Sequence, residues 1–276
     1  MGWHGHLALN YHRDGDTTTA HDRHHGPLRV LKKLYPEGPG ICHHVLVHPP
    51  GGVVGGDVLE IDLALRPGSH ALITTPGATR FYRSDGDEAV QQATARLDDG
   101  ARLEWLPLET IAYSGCRAHN QMRFELQPGA EMIGWDLLAL GLPASDLGFD
   151  AGHFVQQIEL PGVWLERGRI AADDRLLLDS PLGLAGRRVM ATLWFSAGRP
   201  IAPAQREALL DAARGTCSGH PLAASSGSTS PDARVVVLRV LAPRVEPAMA
   251  LLMAVRARWR ALAWGLSAQP PRVWRT

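Results

Sequence analysis

The side chains that could do chemistry in this chain fall into two groups. The first is Cys42, His43, His44 and His48, followed after a short turn by Asp57, Glu60 and Asp62. Imidazole and carboxylate together suit borderline divalent ions such as Ni2+ or Zn2+. The second is a pair of isolated carboxylates in apolar runs, Asp136 in Gly134-Trp135-Asp136-Leu137-Leu138 and Glu166 in Val163-Trp164-Leu165-Glu166. An unpaired buried charge is costly, so each of these either faces water or lines an interior polar passage. Arg167, Arg169, Arg187 and Arg188 are available as partners.

The first group is organised by one segment, His48-Pro49-Pro50-Gly51-Gly52-Val53-Val54-Gly55-Gly56-Asp57. Glycine permits unusual backbone angles and close approach, and proline fixes φ and removes a donor, so the segment reads as a defined turn. After it, Val58-Leu59-Glu60-Ile61-Asp62-Leu63 alternates apolar and acidic residues, which places Glu60 and Asp62 on one face of a strand. The segment is not a phosphate loop. No Lys-Ser/Thr follows the last glycine, the GGxxGG spacing is not the dinucleotide pattern, and Asp57 would repel phosphate. No HExxH, paired CxxC or G-x-S-x-G occurs. A metal-dependent hydrolase built on His43, His44, His48 and Asp57 is the enzymatic alternative, and it lacks recognisable ligand spacing.

Composition narrows the classes. The 276 residues are 45% hydrophobic and 20% charged with zero formal net charge. That excludes a nucleic-acid binder relying on a broad basic face and offers little self-repulsion in solution. The three cysteines are far apart, which favours free thiols and a cytoplasmic setting. The N-terminus lacks the layout of a signal peptide, and no apolar run is long enough to span a bilayer. Six of the 13 histidines lie in the first 25 residues.

The positioning elements are mostly β. Turn motifs at Gly68, Gly100, Gly129 and, more loosely, Gly162 recur about every thirty residues, each between strand-like runs. They predict stacked β layers, or else separate hairpin turns in a sandwich. Further strands are expected at 71–75, 80–83, 90–97, 102–106, 121–126, 155–160 and 234–241, and a polar loop at 225–232. Helices are expected at 203–214, ending before Gly215, and at 247–264, ending at Gly265. Eight tryptophans, among them Trp259, Trp264 and Trp274, read either as interface anchors or as core. No linker divides the chain, so 1–276 reads as one domain.

These motifs together resemble the urease accessory protein UreD (UreH) family. The matching stretches are His25-Gly26-Pro27-Leu28, residues 34–38, Cys42-His43, the turn 48–57, TTPGATRFYRS at 74–84, residues 103–110 and Trp164-Leu165-Glu166-Arg167, in family order over most of the chain. Leu108 stands where the family usually has Gln. The resemblance implies a β-helix-like body with a small C-terminal helical part. It implies a non-enzymatic chaperone that acts with UreF, the GTPase UreG and apo-urease in the cytoplasm, with no nucleic-acid or membrane partner. Ni2+ would be transported through an internal channel rather than held as a cofactor. Asp57, Glu60, Asp136 and Glu166 would be its transient oxygen ligands, and helix 247–264 part of the UreF-facing surface.

Overall fold

A computed structural model describes residues 2–275. The chain opens with an antiparallel hairpin, β1 (His4–Asp14) and β2 (Thr17–His25), and a short β3 (Arg29–Val30). It then winds in three-sided coils. The path runs β4 (Cys42–Val47), the short side at Val53 and β5 (Val58–Leu65). The next coil is β6 (His70–Thr74), β7 (Thr79–Phe81) and β8 (Ala89–Leu97), and the next is β9 (Arg102–Leu106), β10 (Thr110–Ala112) and β11 (Arg117–Leu126). It finishes with β12 (Glu131–Leu140), which spans two sides, and β13 (His153–Leu160). Strands of successive coils pair in parallel on each side. The body is a β-solenoid.

The remaining elements close the coils. β14 (Trp164–Ala171) folds back antiparallel on β13, and a one-turn helix α1 (Arg175–Asp179) follows. β15 (Val189–Ala197), helix α2 (Pro203–Ser218), β16 (Ser226–Asp232), β17 (Val235–Ala242) and helix α3 (Val245–Trp264) complete the chain. The first sheet has the order β14-β13-β11-β8-β5-β1-β2, and the second runs β16-β17-β15-β12-β9-β6-β4-β3.

Three of the four repeated turns are coil corners between the sheets. Gly68 and Gly100 both take φ of +69°, which glycine adopts without a Cβ penalty. The corners also stack: the N–H of Gly129 donates to Asp99 Oδ1 at 2.8 Å, and that of Gly68 to the Asp99 carbonyl at 3.3 Å. Gly162 differs. It sits at the tip of the β13–β14 hairpin within one sheet, so the fourth repeat is a hairpin and not a layer. The expected polar loop at 225–232 is largely the edge strand β16. Its Ser and Gly composition conceals it, but β17 sets its register and Ser228 and Ser230 donate to carbonyls of β17. Helix α2 runs past Gly215 to Ser218, because Ala213 and Cys217 remain buried and packing outweighs the cost of one helical glycine.

Two cores result. One fills the coils, and the other lies between the second sheet and α2 and α3. Strand β12 is buried on both faces: Met132 and Leu138 face the coil interior, while Ile133, Trp135 and Leu137 lie in the helix-side core. Trp259 and Trp264 are buried in that second core, and Trp274 packs against Trp135 with tilted rings, centroids 5.2 Å apart. These tryptophans are therefore packing residues. The cysteines are buried free thiols. Helix α3 is further tied down by charge: Arg256 and Arg260, 2% and 0% exposed, meet the buried Glu104.

Candidate functional site

Inside the coils, polar side chains from the first sheet form a line that converges on one residue of β12. Alternation on the first sheet turns Gln91 of β8, Asn120 of β11 and Gln156 of β13 inward at matching register positions. Gln91 Nε2 donates to Asn120 Oδ1 at 3.2 Å, and Asn120 Nδ2 donates to Asp136 Oδ1 at 3.5 Å. Gln156 Nε2 donates to the other Asp136 oxygen. Asp136 projects from β12 and is 4% exposed. Burial pushes its carboxyl up to about 7; the Gln156 amide opposes that shift and the charge of Glu166 adds to it.

At one end this line opens into a cavity of about 280 Å³, lined by His48, Gly52, Gln91, Trp105, Asn120 and Asp136 among others. At the other end, Asp136, Thr192 and Arg239 are successive register partners across β12, β15 and β17. The Arg239 guanidinium donates to Glu166 of β14, which is partly exposed. Glu166 lies close enough for its charge to act on Asp136, and the cavity beside the glycine turn is lined by Asp136 on its other side.

The glycine turn forms the short third side of the first coil. Val53 pairs with Phe81 in a parallel bridge, its N–H donating to the Arg80 carbonyl at 2.7 Å. Gly52 is required by space: a Cβ there would lie 2.1 Å from the Tyr82 ring. Asp57 is buried and closes the turn, accepting from the N–H of Trp3 at 2.8 Å and of Val54 at 3.0 Å. Glu60 and Asp62 do share a face, the outer face of β5. There Glu60 meets His4 Nε2 at 2.7 Å and Asp62 meets His6 Nε2 at 2.8 Å. Of the four carboxylates singled out in the sequence, Asp136 lies on the interior line, and Glu166 is partly exposed and paired with Arg239. Asp57 sits in the turn beside the cavity, and Glu60 faces outward.

The cluster of His43, His44, His48 and Asp57 does not assemble as a metal centre, which corrects the hydrolase alternative. Successive residues of a strand point to opposite faces. His43 Nε2 therefore meets Glu37 at 2.9 Å, while His44 Nδ1 shares a 2.7 Å hydrogen bond with Tyr11 Oη. Burial lowers the pKa of His44 to about 4, and burial also lowers that of His48. Among the described residues, the one group of three ligand atoms close enough for a shared ion is Glu88, His119 and His153. Sequence reading missed it, as it missed Gln91, Asn120 and Gln156. The available clue was the coil period: the three ligands fall about one repeat apart, as do the three amides.

Fold and site define a β-solenoid scaffold with a polar line through its interior. A family model described as UreD urease accessory protein matches residues 4–275. The chain is 63% identical over 278 residues to urease accessory protein UreD of Leptothrix cholodnii, covering 100% of both chains. It is 59% identical over 276 residues to that of Variovorax paradoxus, again covering 100% of both. It is 58% identical over 274 residues to that of Polaromonas naphthalenivorans, covering 99% of each. This chain belongs to the UreD urease accessory protein family. No helix among its described residues is long and apolar enough to cross a membrane.

Proposed function

We propose that this chain is a non-enzymatic chaperone of urease maturation that passes Ni2+ towards the urease apoprotein. The observation that carries the reading is Asp136: an interior carboxylate held by amides between a cavity and Glu166, in a chain of this family. A carboxylate that is about half ionised near neutral pH exchanges a proton for a cation without a large energetic gap in either direction. Oxygen ligands hold a borderline ion more weakly than a thiolate or imidazole set, which suits release. In this reading Ni2+ is cargo and no resident cofactor is needed. Asp57 and Glu60 flank the approach at the glycine turn, Asp136 is the interior station, and Glu166 is the release position beside Arg239. UreF and, through it, the GTPase UreG complete a cytoplasmic assembly. The outward face of α3, with exposed Arg258 and Leu262, is assigned to UreF.

The test is co-expression of urease subunits, UreF and UreG with this chain, followed by measurement of nickel content and ureolytic activity. Asp136→Ala and Glu166→Ala are expected to lower both while leaving the complex intact on co-purification. Unchanged nickel in both variants overturns the passage. Urease that matures equally well without the chain overturns the accessory role.

A further inference from the structure

We propose that Glu88, His119 and His153 form a surface site for a borderline divalent cation such as Ni2+ or Zn2+, separate from the interior line. The three residues come from consecutive coils. Glu88 immediately precedes β8, His119 lies on β11, and His153 opens β13. Inward positions on these strands are taken by Asn120, Phe154 and Gln156, so alternation turns His119 and His153 to the outer face.

The geometry is already that of a chelate. Both imidazoles present Nε2 to the same carboxylate: His119 lies 2.8 Å from Glu88 Oε2, and His153 lies 3.2 Å from Oε1. The three ligand atoms all lie within 4.8 Å of one another. Bonds of about 2.0–2.2 Å to one ion place neighbouring donors roughly 3–3.5 Å apart, so little movement is needed. The backbone holds the ligands in place: the Gly56 N–H donates to the Glu88 carbonyl at 2.9 Å, and the His153 N–H to the Cys116 carbonyl at 2.8 Å.

Two imidazoles and one carboxylate, with the carboxylate 40% exposed, leave coordination positions open to water. Arg117 is the register partner of His153, and Arg83 and Arg169 line the adjoining cleft. Their positive charge lowers cation affinity, which makes this an exchangeable site and not a storage site. The neighbouring pairs His4–Glu60 and His6–Asp62 each offer two ligands, one fewer than the Glu88 group.

The experiment is calorimetric titration of the full-length chain with Ni2+ and, separately, Zn2+. The variants are Glu88→Gln, His119→Ala and His153→Ala. Two controls accompany them: His12→Ala/His21→Ala, which removes a stacked histidine pair on the β1–β2 hairpin, and Asp136→Asn on the interior line. One binding event is expected to vanish or weaken at least about tenfold in each site variant and to persist in both controls. Unchanged binding in Glu88→Gln and His119→Ala overturns the site. Lower melting temperature with metal binding retained also overturns it, since the group would then be an ion-pair network only. His153 is buried and its variant can fail to fold, in which case the other two decide.

Discussion

Glu104 and Arg256, 152 residues apart in the chain, are joined through one buried oxygen: Glu104 Oε2 accepts from Arg256 Nε at 2.8 Å and from Nη2 at 2.5 Å. Arg260 Nε reaches the other oxygen at 3.0 Å, and its Nη1 reaches Glu37 at 2.5 Å. Burial alone would raise the Glu104 pKa, but Arg256, His70 and Arg260 outweigh it and hold the carboxyl at about 2. Removing one partner of such a set strands the others without water. Glu104→Gln is therefore expected to cost about 3–5 kcal/mol, read by urea unfolding. The folded pKa lies below the usual value, so this stabilisation is present above about pH 4.5 and lost as pH falls towards 2. A variant whose acid unfolding midpoint matches the parent would contradict this account.

Asp136 has the opposite sign. Its folded pKa of about 7 lies above the ordinary 3.8, so the fold favours the protonated form. The contribution to stability is complete below about pH 4 and is lost as pH rises through 7. The linkage amounts to about 4 kcal/mol as an upper figure. Asp136→Asn keeps the shape and removes the charge. It is expected to match the parent at about pH 3.5 and to be the more stable protein at pH 8, as measured by chemical denaturation at both values.

Asp57 separates a structural role from a ligand role. Its carboxylate accepts two backbone N–H groups, so Asp57→Ala is expected to destabilise by about 1–3 kcal/mol. Asp57→Asn retains an acceptor and loses much less. Thermal melting of the two variants, beside nickel content of co-expressed urease, distinguishes the roles. Loss of nickel with stability retained in Asp57→Asn identifies a ligand; parallel losses in both readouts identify a turn residue.

Gly134 faces the buried Trp194 in the register of β12 and β15, and a Cβ there would lie 2.3 Å from the indole. Gly134→Ala forces that ring to move within a filled core, at a cost of about 1–3 kcal/mol. The variant should melt well below the parent, and an unchanged melting temperature would show that the ring has room.

The coils were legible because two local patterns agree in the sequence: alternation along strands such as β5, and glycine turns at a constant period. The same turn chemistry also serves a plain hairpin, which is why Gly162 looked like another layer. Strand β16 was hidden because an edge strand of Ser and Gly is held by its neighbour and not by its own propensity. Asp136 stood out as a charge in an apolar run, but its amide partners did not. Gln91, Asn120 and Gln156 lie in separate stretches of sequence and meet only because consecutive coils bring equivalent positions together. Glu88, His119 and His153 were invisible for the same reason. Conversely, the compact run of His43, His44 and His48 looked like a ligand set, yet strand alternation divides it between faces.

The contacts between Arg260 and Glu37 span 223 residues, and those between Arg256 and Glu104 span 152. On the ribosome the coils can wind one after another as the chain emerges, but Glu37 and Glu104 must wait for α3 before their charges are matched. A nascent chain held up before α3 carries these carboxylates with neither Arg256 nor Arg260 to answer them, and the part of the sheet face that α3 covers stays bare. Synthesis therefore sets a late checkpoint. Chains truncated before α3 are expected to be recognised by quality control as unfinished, however well their coils have formed.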